Sequence, residues 1–178
     1  MPVINIYPSD DSYIAQNIPD TNYGAAISLP VQRGLGQERA AFFKWSDLST
    51  IPLGSTIHNA VFYWYKSQGG SIGGTYVTYL VTSSWDESTI TWATRPSITA
   101  PNLNSWNAAP GWENCGGNLY TTFKNWFTGA VSNHGIRLLT TADTTGNQLH
   151  INSHENANNK PYFAVDYQPP GSFIYNMI

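Results

Sequence analysis

The sequence predicts an all-β protein, a two-sheet antiparallel jelly-roll-like β-sandwich with at most one short helix. About ten short segments that alternate or run apolar are separated by turns rich in Gly, Pro and Asn, the pattern typical of sandwiches. Aromatic residues make up 14% of the chain and charged residues only 11%, a composition that favours an all-β surface protein over a helical enzyme. The 178 residues are enough for one domain with a sizeable core.

The predicted strands are recognised by period-two alternation or by a short apolar run. In chain order they are residues 3–7, 12–15, 27–32, 39–45, 57–66, 75–82, 90–92, 136–140, 148–152 and 162–167. A helix is predicted over residues 119–126, and a hairpin turn over 143–147. Residues 102–118 show no strand pattern. Residues 1–168 are therefore expected to form one sandwich, followed by an apolar tail, 169–178, which docks on its own or a neighbouring domain.

The longest predicted strand has two apolar or aromatic faces. Alternation places Ala60, Phe62 and Trp64 on one face and Val61, Tyr63 and Tyr65 on the other. The strand is therefore expected to be buried on both faces, or to present its second face to a partner.

Residues 81–96, VTSSWDESTITWATRP, form the segment around which the chain is organised. Trp85 and Trp92 are seven residues apart and are too large to leave in water without a reason, so both rings are expected to pack on a core. Asp86 and Glu87 follow Trp85 where the chain should turn, and are expected to stabilise that turn through backbone amides.

The motif SSWDESTITW resembles the signature of the DNRLRE-type domains, β-sandwich modules on surface and secreted proteins of microbes. DSYI at 11–14, PDTNYG at 19–24 and WSDLS at 45–49 resemble other blocks of that family in the expected order. The resemblance covers residues 3–168, with departures at Trp45, where phenylalanine is usual, and at 103–118. It implies a sandwich fold. Some members bind carbohydrate, including alginate, but one fold hosts many functions.

Charge and cysteine content exclude several classes of protein. The net charge is −3 with eight Lys and Arg residues, so a nucleic-acid partner is not expected, because phosphate binding needs clustered positive charge. The single cysteine, Cys115, excludes an internal disulfide and a multi-cysteine zinc site. No apolar run reaches the length of a membrane span.

The sequence predicts no catalytic residues. Glycoside hydrolysis needs two carboxyl groups that flank the bond, and the adjacent Asp86 and Glu87 would point to opposite faces of a strand. No nucleophile elbow, metalloprotease helix or phosphate-binding loop is present. The chain is therefore not expected to be an enzyme.

Exposed aromatic rings beside polar side chains are the pattern expected of a sugar-binding site, since sugars stack apolar C–H faces on flat rings. Trp106 and Trp112 lie in the polar segment that the family pattern does not cover, and a loop that buries both rings is the alternative. Tyr63 and Tyr65 form a second candidate platform. Arg33 and Lys44 are the candidate residues that attract an acidic polysaccharide. Trp45, Trp85 and Trp92 are assigned to the core.

No cofactor is required by any motif, and one structural calcium ion is the cofactor that the loops allow. Calcium needs several converging oxygen ligands. The candidate ligands are Asp10, Asp11, Asp143 and Glu155, and no EF-hand spacing is present.

Three functions fit this sequence. The first is a non-catalytic, extracellular polysaccharide-binding module whose partner is a polysaccharide or surface glycan. The second is a phage virion structural protein, a capsid decoration or tail protein, which forms homo-oligomers or binds other subunits through 169–178. No signal peptide is visible ahead of the first strand: either a signal was removed and a Met added, or the gene has none, as expected of a protein released by lysis. A polysaccharide-degrading enzyme is the third. The expected location is extracellular, on a cell surface or on a virion.

Overall fold

A computed structural model describes residues 2–68, 76–99, 111–115, 118–140 and 148–172. Ten strands and one helix lie in this described part. They are β1 Val3–Ile6, β2 Asp10–Ala15, β3 Ser28–Val31, β4 Arg39–Lys44, β5 Thr56–Gln68, β6 Tyr76–Leu80, β7 Gly111–Cys115, α1 Asn118–Phe127, β8 Ile136–Thr140, β9 Leu149–Asn152 and β10 Tyr162–Gln168.

The strands form two antiparallel sheets. The six-stranded sheet has the order β1-β10-β5-β9-β3, with β7 also paired to β5, and the four-stranded sheet has the order β2-β4-β8-β6. Side chains from both sheets meet in one buried core, so the predicted two-sheet sandwich with one short helix is confirmed. No helix in the described ranges is long and apolar enough to cross a membrane.

Trp45 packs among aromatic rings in the centre of this core. Its ring centroid lies 4.6 Å from that of Phe163 and 5.2 Å from that of Phe62, and both contacts are edge-to-face. The indole Nε1 donates a hydrogen bond to the Ile6 carbonyl at 3.2 Å. Helix α1 contributes Trp126, whose ring stacks on Trp45 at 6.2 Å. The prediction that Trp45 belongs to the core is confirmed.

The segment 81–96 covers the outer face of the four-stranded sheet. Trp85 and Trp92 are half-buried and pack against a second apolar cluster that includes Phe42 and Ile90. Trp85 makes an edge contact with Phe42 at 5.8 Å, and its Nε1 donates to the His134 carbonyl at 2.8 Å. Both tryptophans therefore pack on apolar surface, as the sequence predicts.

Two strand predictions were wrong. Residues 90–92 are not a strand, because the Ile90 amide bonds to the Asp86 carbonyl at 2.9 Å and closes a turn. Asp86 Oδ1 supports that turn by accepting the Ser88 amide at 2.8 Å. Conversely, the structure contains strand β7 where no strand was predicted. The prediction missed it because Trp112, the largest apolar residue of β7, lies on the exposed side and not on the core side.

Some sequence predictions concern residues outside the described ranges. They are the hairpin turn over 143–147, the environment of Trp106, the ligand role of Asp143 and the docking of residues 173–178.

Candidate functional site

A row of aromatic side chains lies on the outer face of the six-stranded sheet. Tyr63 of β5 is directly opposite Tyr162 of β10, and Tyr65 of β5 is directly opposite Trp112 of β7. Residues opposite each other in a sheet share a face, so these four rings point away from the core. With Tyr7, which follows β1, they form the aromatic face: Tyr7, Tyr63, Tyr65, Trp112 and Tyr162.

The five rings are in continuous contact. Tyr162 is central: its centroid lies 6.0 Å from Tyr7, 5.2 Å from Tyr63 and 5.5 Å from Trp112. Trp112 in turn lies 5.5 Å from Tyr65 in an edge contact. Such contacts hold each ring in a defined orientation, so the platform is already formed before any ligand arrives.

Two of these rings are unusually exposed for their size. Tyr7 is 51% exposed and Trp112 is 45% exposed, while Tyr63, Tyr65 and Tyr162 are half-buried. Burial and the neighbouring tyrosines Tyr63 and Tyr7 raise the pKa of Tyr162. A contiguous, partly exposed aromatic patch of this kind is a candidate binding surface.

A cleft of about 540 Å³ borders one end of the aromatic face. Tyr7, Trp112 and Tyr162 form its aromatic wall, and Asn159 and Lys160 belong to its polar side. This combination of rings with a few polar groups is typical of a carbohydrate or other small-ligand site.

Further amide side chains lie beside the rings. Asn114 is exposed and directly opposite Tyr63, and Asn5 is exposed and directly opposite Ala164, two residues from Tyr162. By alternation both side chains share the outer face with the rings. They add hydrogen-bond donors and acceptors along the platform.

The structure brings together three of the six predicted binding residues, namely Tyr63, Tyr65 and Trp112. Lys44 lies in the other sheet, where its Nζ is 3.2 Å from Asp10 Oδ1 and 4.7 Å from the Trp85 ring centroid. Arg33 is exposed after β3, and neither cation lines the cleft. The sixth residue, Trp106, is outside the described ranges.

Sequence reasoning missed Tyr7 and Tyr162, which complete the aromatic face. The signal for Tyr162 was present, because buried and less buried residues alternate at the start of β10. This alternation places Tyr162 on the face of the strand that points away from the core, and Phe163 on the buried face. Nothing in the sequence showed that this strand pairs with β5.

A second group of polar side chains adjoins the cleft through His154. We call Asp11, Glu87, His154 and Glu155 the His–carboxylate cluster; their potential ligand atoms all lie within 4.8 Å of one another. Asp11 Oδ2 accepts the His154 amide at 2.6 Å, and Glu87 Oε1 accepts the Asp11 amide at 2.7 Å. These bonds tie strand β2 to two distant loops.

Two of the four predicted metal ligands, Asp11 and Glu155, belong to this cluster. Asp10 instead pairs with Lys44, because adjacent residues on a strand point to opposite faces, and Asp143 is not described. Glu87 and His154 were not predicted as ligands.

Burial and the interactions within the cluster shift the pKa values of its members. Burial raises the pKa of Asp11 to about 6, against the opposing effect of His154. Burial also raises the pKa of Glu87. Interaction with the Asp11 carboxylate raises the pKa of His154. Asp11 has no solvent exposure, so it cannot reach a polysaccharide in the cleft.

Comparison with known proteins identifies the family. The family model of carbohydrate-binding module family 96 matches residues 2–167, which include β1 to β9 and all of β10 except its last residue. A search of the curated proteins found no match.

Proposed function

This chain belongs to carbohydrate-binding module family 96, and we propose from that premise that it is a non-catalytic module that binds a polysaccharide outside the cell. The observation that carries the proposal is the aromatic face, five contacting rings on one side of a sheet. The similarity of its motifs to DNRLRE-type domains, which are found on surface and secreted proteins of microbes, supports an extracellular or cell-surface location.

The shape of the site supports a polymer rather than a single sugar. The rings contact one another at centroid distances of 5.2–6.0 Å and spread from Tyr162 over three strands and Tyr7. An aromatic surface of that extent can contact more than one sugar ring of a polymer. Adjacent amides such as Asn114 supply hydrogen bonds to hydroxyls.

The charge near the cleft favours an acidic polysaccharide as the first candidate. Lys160 lines the cleft directly beside the aromatic wall, and no carboxylate is among the described residues that line it. The resemblance to a family that includes alginate binders points to the same chemical class. Lys160 therefore replaces Lys44 and Arg33 as the residue proposed to attract an acidic polymer.

The arrangement of carboxyl groups supports a role without catalysis. A glycosidase places two carboxyl groups on either side of the scissile bond. In the His–carboxylate cluster the groups instead face one another around His154. Asp11 is fully buried, so the cluster does not offer a carboxyl pair to a bound chain.

Titration of the chain with alginate, polygalacturonate and a neutral glucan tests this proposal. We expect saturable binding of at least one acidic polymer by calorimetry, with binding weakened by salt because Lys160 contributes charge. The chain length and reducing-end content of the polymer should stay unchanged after prolonged incubation. Release of reducing ends or unsaturated products would contradict the non-catalytic role, and failure to bind any of the three polymers would contradict polysaccharide binding.

A further inference from the structure

We infer that the His–carboxylate cluster is a binding site for a divalent transition-metal ion, with Asp11, Glu87 and His154 as ligands. This site is distinct from the aromatic face, and the inference does not depend on polysaccharide binding. The geometry, the unpartnered buried oxygen of Asp11 and the charge balance each support it.

The distances suit one ion. His154 Nδ1 lies 3.2 Å from Asp11 Oδ2 and 3.6 Å from Glu87 Oε1. Ligand bonds of about 2.0–2.2 Å in tetrahedral geometry separate neighbouring donor atoms by roughly 3.2–3.6 Å. Both distances from His154 Nδ1 are therefore those expected between ligands of one ion, and the candidate ligand atoms of the cluster all lie within 4.8 Å of one another.

Glu155 fits the role of a supporting carboxylate. Its Oε1 lies 3.2 Å from His154 Nε2, on the opposite side of the imidazole from Nδ1. A metal-bound histidine commonly donates its other ring N–H to a carboxylate, which orients the ring and raises its basicity. Glu155 would hold the ring so that Nδ1 points to Asp11 and Glu87.

A buried carboxylate oxygen without a partner is the independent sign of a missing ligand. Among the described residues, Asp11 Oδ1 and His154 Nδ1 are buried and make no hydrogen bond. Asp11 as a whole has no solvent exposure. His154 Nδ1 faces Asp11 Oδ2 at 3.2 Å, so the atom left without a partner at this site is Asp11 Oδ1. Leaving a buried carboxylate oxygen unsatisfied costs free energy, and a cation bound at the Asp11 carboxylate would offset that cost.

The charge of the cluster also calls for a cation. Three carboxyl groups surround one imidazole, and the nearby Lys44 is paired with Asp10 instead. A bound dication would offset most of this negative charge. A second cleft, of about 310 Å³ and lined by Glu87 and Glu155, opens beside the cluster and provides a path for an ion.

The donor set selects the metal. Imidazole with carboxylates suits zinc or manganese, whereas calcium takes six to eight oxygen ligands. Zinc, which accepts three protein ligands and a water, is the ion we expect to bind best. His154 also lines the cleft beside the aromatic face. A bound ion would therefore fix the position of the His154 side chain in that cleft.

Thermal unfolding of the EDTA-treated, dialysed full chain with zinc, manganese or calcium chloride tests the inference. We expect zinc at about a hundredfold excess over its Kd to raise Tm by roughly 5–10 °C, and calorimetry to show one ion per chain. Glu87→Gln, which keeps an oxygen to accept the Asp11 amide, should abolish the shift. Glu155→Gln should weaken binding by about tenfold or more.

Asp20→Asn is the matched control, since it removes the charge of an exposed loop carboxylate, and it should bind zinc like the wild type. An equal zinc shift in Glu87→Gln, or no shift and no binding heat with zinc or manganese in the wild-type chain, would overturn the site. Stabilisation by calcium alone would overturn the assignment of His154 as a ligand. Because wild-type calorimetry is measured independently, misfolding of a variant does not remove the test.

Discussion

Trp45→Ala is expected to lower the free energy of unfolding by about 3–5 kcal/mol, the usual range for truncating a buried tryptophan. Trp45 is 1% exposed and contacts rings from both sheets and from α1. Truncation leaves a cavity that these packed rings cannot fill, and it leaves the Ile6 carbonyl without its indole donor. Domains of this kind unfold with a total free energy of about 5–15 kcal/mol, so the expected loss in Trp45→Ala is a large fraction of the total.

Urea unfolding of three variants measures the effect. Trp45→Phe, which introduces the residue usual in DNRLRE-type domains, should lose less than Trp45→Ala because most of the aromatic packing remains. Leu53→Ala, at a position 89% exposed, should change stability by less than about 0.5 kcal/mol. A loss below about 1 kcal/mol in Trp45→Ala would contradict the central position of this ring.

Trp112→Ala should reduce the affinity for the bound polysaccharide at least about tenfold, which corresponds to about 1.4 kcal/mol. The ring is exposed and is held in place by Tyr65 and Tyr162. Rigid exposed aromatic residues of this kind commonly dominate binding free energy. Calorimetric titration of the variant against the wild type measures the loss.

Trp92→Ala provides the matched control for that loss. Trp92 is a half-buried tryptophan that packs over the outer face of the four-stranded sheet, with Arg95 4.3 Å from its ring centroid. This variant also removes an indole, but from the opposite side of the sandwich. Equal losses of affinity in Trp92→Ala and Trp112→Ala would show that the aromatic face is not the binding site.

The fold was largely predictable because burial alternates along most strands. In β5, Phe62 and Trp64 point into the core while Tyr63 and Tyr65 point out, as period-two alternation requires. Strand β7 escaped prediction because its apolar Trp112 faces outward. An outward-facing tryptophan breaks the usual strand pattern, and functional residues are the places where such a break is expected.

The sites were less predictable, because they depend on pairing between distant segments. Asp11 is 76 residues from Glu87 and 143 from His154, and no local spacing relates the three. Tyr162 joins Tyr63 only through the register of β10 on β5. Sequence patterns predict which residues share a strand face, but they do not specify which strands become neighbours.

Hydroxyl-radical footprinting of the full chain, with and without a saturating polysaccharide, tests the central claim most directly. Oxidation of Tyr7 and Trp112 should fall on binding, while the exposed Leu35 and Leu53 should react at the same rate in both states. Unchanged oxidation of Tyr7 and Trp112, together with protection of another surface, would contradict the assignment of the aromatic face as the polysaccharide-binding site.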